Sequence, residues 1–137
     1  MKTTYPVLLT RTENCILVEV PDFDILTEGT DYTNAIEMAR DAIGLTGISM
    51  EDHKEPIPSP SALTDISAGS GTFSKDGDTI VNLIDIDFSI YRRKLDNRTV
   101  RKNVSLPSWL NYEAECAGIN VSRVLQEALM NTLGVSR

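Results

Sequence analysis

At 137 residues and 41% hydrophobic content, the chain is long enough for one medium domain or two small ones and too apolar to be disordered throughout. It has no run of about 18 apolar residues, which excludes a transmembrane helix, and Met1-Lys2-Thr3-Thr4-Tyr5-Pro6 turns polar too soon for a secretory signal. A net charge of −7 argues against a nucleic-acid binder only until the chain is divided: residues 1–90 hold five Lys/Arg against sixteen Asp/Glu (−11), and residues 91–137 hold eight against four (+4). Such asymmetry points to two modules with different partners, a basic one that can meet phosphates and an acidic one that favours a cationic protein. A cytoplasmic protein without a membrane partner is the expectation.

In chain order, Tyr5–Thr10 reads as a strand with Tyr5, Val7 and Leu9 on one face. Glu13-Asn14 turns the chain. Cys15–Val20 then forms a second strand, close enough for a hairpin. Pro21-Asp22-Phe23-Asp24 breaks it, and Ile25-Leu26-Thr27 makes a short third strand ending at Gly29. Thr30 or Asp31 caps a helix in which Ala35, Ile36, Ala39, Ala42 and Ile43 recur at helical spacing, fading at Gly44 to Gly47. Residues 51–78 are rich in Pro, Ser, Gly and Asp, and Pro56, Pro58 and Pro60 forbid regular structure there. Thr79–Phe88 is the strongest strand. Its apolar residues on both faces predict a central place in the sheet. Tyr91 to Asn97 reads as a basic linker.

From Arg98 the pattern changes. Val100, Val104 and Leu106 share a strand face with Lys102, while Thr99, Arg101, Asn103 and Ser105 form an exposed row of hydrogen-bonding groups. Arg can bond guanine and Asn adenine in bidentate fashion, and Ser suits several base edges. Pro107 stops the strand. A helix follows from about Ser108 to Ala117, with Leu110, Ala114 and Ala117 on one stripe and Trp109 in the core or a dimer interface. Gly118 ends it and Asn120 caps the next helix, whose apolar face is Val121, Val124, Leu125, Ala128, Leu129 and Leu133. N–H groups at the start of that helix, near Asn120, Val121 and Ser122, can hold a DNA phosphate, with Arg123 adding charge. One strand and two helices cannot bury their own apolar face, so the unit needs a second copy of itself.

This segment resembles a ribbon-helix-helix domain. Gly118-Ile119-Asn120-Val121-Ser122 is similar to that family's turn between helices, and Val104-Ser105-Leu106-Pro107 to the end of its strand. The resemblance implies that Arg101, Asn103 and Ser105 read bases from a two-stranded ribbon in the major groove, which is wide enough to admit one.

The whole chain resembles the HicB antitoxins. The match is carried by Val20-Pro21-Asp22-Phe23, Thr27-Glu28-Gly29-Thr30, Asn34-Ala35-Ile36-Glu37-Met38-Ala39 and Val81-Asn82-Leu83-Ile84-Asp85-Ile86-Asp87. The resemblance implies an α+β chain: a β-β-β-α-β partial RNase H-like toxin-binding domain over 1–90, a linker over 91–97, and a ribbon-helix-helix domain over 98–137. It also implies a HicA-like RNA-cleaving toxin and double-stranded operator DNA as partners. Assembly as a homodimer is expected, and further pairing into tetramers stays open. Asp22, Phe23 and Asp24 are candidate toxin contacts. Phe23 is read equally as an exposed anchor or as the closure of a small core.

Cys15 and Cys116 lie far apart with no Cys or His at ligand spacing, and His53 stands alone in a charged stretch. No metal, no cofactor and no catalytic role are expected. Asp85 and Asp87 share a strand face and, with Asp22, Asp24, Glu28, Glu37 and Asp41, invite a two-metal nuclease reading. Nothing in the spacing fixes a third ligand, and these are read as solvated acids. A second function class remains: a ribbon-helix-helix repressor whose N-terminal domain senses a small molecule.

Overall fold

The computed structural model describes residues 2–96 and 98–136, so Met1, Asn97 and Arg137 of the expected modules lie outside the described residues. The chain divides into two compact units, with the break after Leu95.

The first unit contains β1 (Lys2–Arg11), β2 (Ile16–Val20), β3 (Ile25–Gly29), α1 (Tyr32–Asp52), β4 (Asp78–Asp87) and α2 (Phe88–Leu95). The strands form one antiparallel sheet in the order β3-β2-β1-β4. Alternation along β1 sends Tyr5, Val7 and Leu9 to the α1 side, where Val18, Val20, Ile84 and Ile86 join them. Ala35, Ala39 and Ile43 of α1 close this core. Two alanines along that row let the helix approach the sheet closely. Asp31 caps α1 by accepting the Asn34 N–H at 2.7 Å.

Residues 53–77 run without regular structure apart from 3-10 turns at Leu63–Asp65 and Ala68–Ser70; Ile57 packs on the α1-side core, and the later part crosses the second sheet face. Three polar contacts hold this strap. The Tyr5 hydroxyl donates to the Pro58 carbonyl at 2.7 Å. Ser61 donates its N–H and its hydroxyl to the Asp22 carboxylate. Thr72 does the same to Glu19. Leu8 is buried where Gly71 crosses it.

Three expectations are corrected here. β4 is an edge strand, and β1 is an inner strand in which every residue from Tyr5 to Thr10 is buried. Apolarity on both faces of β4 reflects α1 on one side and the turns of the strap on the other, not a neighbour on each edge. α1 does not fade at Gly44; it runs on to Asp52. Gly47 continues the inner row Ala35, Ala39, Ile43 at four-residue steps, and a Cβ on Gly44 or Gly47 would strike the rings of Tyr91 or Phe88. These glycines are therefore clearance for α2. Residues 91–95 belong to that helix and are not a linker. Arg92 ties α2 to the end of α1 through Glu51 at 2.8 Å and Asp52 at 2.9 Å. The Tyr91 hydroxyl donates to Asp41 at 2.8 Å, and burial together with that bond pushes its pKa up to about 12.

The second unit holds α3 (Ser108–Cys116) and α4 (Val121–Leu133). Gly118 and Gly134 follow them with φ of 66° and 67°, the left-handed conformation that suits a glycine stop. Residues 98–107 form no strand within the single chain. A ladder needs a second strand to receive its bonds, and none of the described strands pairs with this segment.

Candidate functional site

The second unit is unusual in what it leaves uncovered: none of its described residues is buried. Val104, Leu106, Trp109, Ile119, Val124, Leu125 and Leu129 are all exposed, although they fall at the spacing of a packed face. Each large side chain left in water forgoes about 1.5–3 kcal/mol. A contiguous apolar surface of this kind marks an interaction site.

Arg101, Asn103 and Ser105 are exposed along residues 98–107, alternating with Val100, Val104 and Leu106. Pro107 precedes α3, and its carbonyl accepts the N–H groups of Leu110 and Asn111. Asn120 caps α4, accepting the Arg123 N–H at 3.1 Å. Val121 and Ser122 open that helix, where N–H groups precede the first intrahelical bonds. The Arg123 guanidinium leans back to Glu127 at 3.2 Å, so an incoming phosphate would compete with a surface ion pair worth little.

The break at Leu95 redistributes the charge. Residues 1–95 carry eight Lys/Arg and sixteen Asp/Glu, net −8, and residues 96–137 carry five and four, net +1. The triplet Arg92-Arg93-Lys94 lies on α2 and belongs to the acidic unit.

The three residues of the first break are placed apart in role. Asp22 is engaged by Ser61. Phe23 packs edge-on against Tyr5, with ring centroids 4.9 Å apart, and so closes one end of the core. Asp24 sits in the left-handed region at φ 53°, ending the 3-10 turn. Asp22 and Phe23 thus each have a partner within the first unit. The strap contacts and the glycine clearance were missed at the sequence level; the four-residue step from Ile43 to Gly47 was the available signal for the latter.

Asp85 and Asp87, the pair that invited a nuclease reading, have structural partners. Asp85 pairs with Lys2 at 2.9 Å and with Arg40 at 3.0 Å, and these hydrogen bonds hold its carboxyl below the usual carboxylate range. Asp87 accepts the N–H groups of Ser89 and Ile90 at the start of α2; the Ile90 bond is the main cause of its lowered pKa. Among the described residues, no group of three or more His, Cys, Asp or Glu side chains stands ready to hold a metal ion. No helix among them is long and apolar enough to cross a membrane.

The family model for the HicB_like antitoxin of bacterial toxin-antitoxin systems matches residues 5–123. The chain belongs to the HicB-like antitoxins. As such it is the antitoxin member of a bacterial toxin–antitoxin pair. Solved structures share its mixed α+β fold. A chain of a toxin–antitoxin complex from Streptococcus pneumoniae is 24% identical, with a TM-score of 0.60 over 96% of this chain and 99% of that one. The antitoxin HicB of Burkholderia pseudomallei is 20% identical, with a TM-score of 0.53 over 96% and 97%. A chain of the HicA3–HicB3 toxin–antitoxin complex is 20% identical, with a TM-score of 0.50 over 62% and 99%. No curated protein matches this HicB-like sequence.

Proposed function

We propose that this HicB-like antitoxin silences a HicA-like RNA-cleaving toxin by binding it directly, without catalysis of its own. In this reading the first unit makes the contact. Its net charge of −8 suits a cationic partner that would otherwise meet RNA phosphates.

The same chain represses its own operon through residues 98–137. Two copies pair their segments 98–106 into a ribbon, bury the faces of α3 and α4 together, and lay Arg101, Asn103 and Ser105 against base edges. The N-termini of the paired α4 helices, at Asn120 to Arg123, take phosphates. The observation that carries this reading is a unit in which no described residue is buried: its apolar face and the segment that lacks a strand partner are both completed by one operation, a two-fold axis.

A pull-down of the tagged full-length chain from its native cells tests the reading. Recovery of a small basic protein whose RNA cleavage the chain suppresses is the expected result. Recovery of operator DNA with no protein partner, together with a bound metabolite, would favour the ligand-sensing repressor. Asn103→Ala is expected to cost about 1–3 kcal/mol of specific binding and to relax sequence preference. Gel shifts on operator and scrambled DNA check this; unchanged discrimination would remove Asn103 from the reading row.

A further inference from the structure

From Thr12 to Ala39 the chain holds seven Asp/Glu and no Lys, Arg or His. That stretch spans β2, β3 and the first part of α1, so one edge of the sheet is acidic. β3 is the end strand there, and among the described residues no strand lies beyond it. The Thr12 N–H donates to the Cys15 carbonyl at 2.9 Å, which makes these two a bonded pair of the β1–β2 ladder. Bonded pairs recur at every second residue, so Leu17 and Glu19 turn their backbone groups to β1, and Ile16, Val18 and Val20 turn theirs to β3. Their partners Gly29, Thr27 and Ile25 face inward. The N–H and C=O of Leu26 and Glu28 are therefore left pointing outward. On either side the edge is closed: the Asp24 N–H donates to the Pro21 carbonyl at 3.3 Å and the Thr30 N–H to Asn34 Oδ1 at 2.9 Å. The side chains of Leu26 and Glu28 lie on the second sheet face. The strap is pinned there at Glu19 and Asp22 yet leaves Leu26 56% exposed. Glu28 accepts the Cys15 thiol at 3.6 Å, a weak bond that a cation would displace.

We propose that an extended basic segment of the toxin adds to the outer edge of β3 as a further strand, which rests on the reading above that the first unit holds the toxin. Leu26 and Glu28 supply the backbone bonds, and side chains on the exposed face select the segment. The residue opposite Glu28 is Lys or Arg. The residue opposite Leu26 is apolar and also reaches the half-buried Leu17. One residue separates the two. Charge selects this occupant. A second copy would bring the same acids against these, and a nucleic acid would bring phosphates; both are repelled. Edge strands are commonly guarded by charge. Here the guard has one sign, so it rejects those two and admits a cation. At the opposite edge Lys2 and Arg40 stand beside Asp85, and a basic segment has no such preference for that strand.

Titration calorimetry and amide exchange on the full-length chain test the pairing, with the basic protein recovered in the pull-down as the probe. Leu26→Pro removes an outward N–H that β2 does not use. Glu28→Lys reverses the charge on the edge. Glu55→Lys makes the same change of net charge at the other end of α1. Dissociation constants are expected to rise on the order of tenfold or more for the two β3 variants and to stay within about threefold for Glu55→Lys, with unchanged circular dichroism in all three. In the complex the amides of Leu26 and Glu28 should exchange more slowly than in the free chain. If Leu26→Pro fails to fold, Glu28→Lys and amide exchange decide. Unslowed exchange at both amides, or a Glu28→Lys chain that binds as the unaltered one does, would overturn the edge pairing and leave the toxin reading standing. If no basic protein is recovered, the toxin reading falls and the probe becomes a synthetic peptide alternating lysine and valine over about six residues. Slowed exchange at Leu26 and Glu28, lost in Glu28→Lys, would then keep the edge as a site for a basic strand; unslowed exchange would overturn that as well.

Discussion

A chain ending at Leu95 is expected to keep its hold on the toxin and to lose DNA binding altogether. The first unit has its own core, built from Tyr5, Val7, Leu9, Ile16, Val18, Val20, Ala35, Ala39, Ile43, Ile84, Ile86 and Phe88, and none of these lies beyond α2. The position of the cut matters. Ending the chain at Ile90 would delete Tyr91 and Arg92, and with them the hydrogen bond to Asp41 and both ion pairs to the end of α1. The chain ending at Leu95 should therefore melt above the chain ending at Ile90. Operator affinity should fall by the whole specific margin, on the order of 10³-fold or more. Toxin rescue in growing cells and gel shifts on the operator read the two halves. A folded Leu95-terminated chain that fails to rescue would show that the toxin contact, or the avidity it needs, lies in the second unit.

Gly47→Ala is expected to destabilise the first unit although alanine is the better helix former. Propensity favours the substitution by about 0.8–1.0 kcal/mol. Against it, the new Cβ would lie 2.8–2.9 Å from ring atoms of Phe88 and nearer still to Cε1. Phe88 is itself buried against the core, so its ring has little room to retreat. Overpacking of this kind costs roughly 1–3 kcal/mol and wins. A net loss of about 1 kcal/mol lowers Tm by roughly 4–8 °C in a unit of this size. Thermal circular dichroism measures it, and Phe88→Leu in the Gly47→Ala background should recover part of the loss. An unchanged or raised Tm for Gly47→Ala would mean that α2 does not depend on that clearance.

The strands of the first unit were legible because their side-chain alternation and breaking residues agree: Pro21 and Gly29 frame β2 and β3, and Asp31 announces α1. The far end of α1 was not, because a glycine that makes room for a ring and one that ends a helix look alike in a single sequence. The place of β4 was misread for a related reason. Apolar residues on both strand faces report what lies above and below the sheet, not what lies beside it. The strap was legible only as an absence of order; Ser61 with Asp22 and Thr72 with Glu19 are 39 and 53 residues apart, and no local pattern ties them. In the second unit, Pro107, Gly118, Asn120 and Gly134 marked both helices well. The segment from Arg98 to Leu106 was read as a strand on its alternation, yet one chain supplies only half of any ladder it could join.

The two faces of the sheet are fastened by different means. One is sealed by a continuous layer of side chains under α1, and the other lies under a strap pinned at Ser61 and Thr72. Pins of about 1 kcal/mol each yield one at a time, whereas a packed layer yields as a whole. Amide exchange would therefore start on the strap side while the α1 side is still closed. The first unit has a hard side and a soft side, and slow breathing is confined to the soft one.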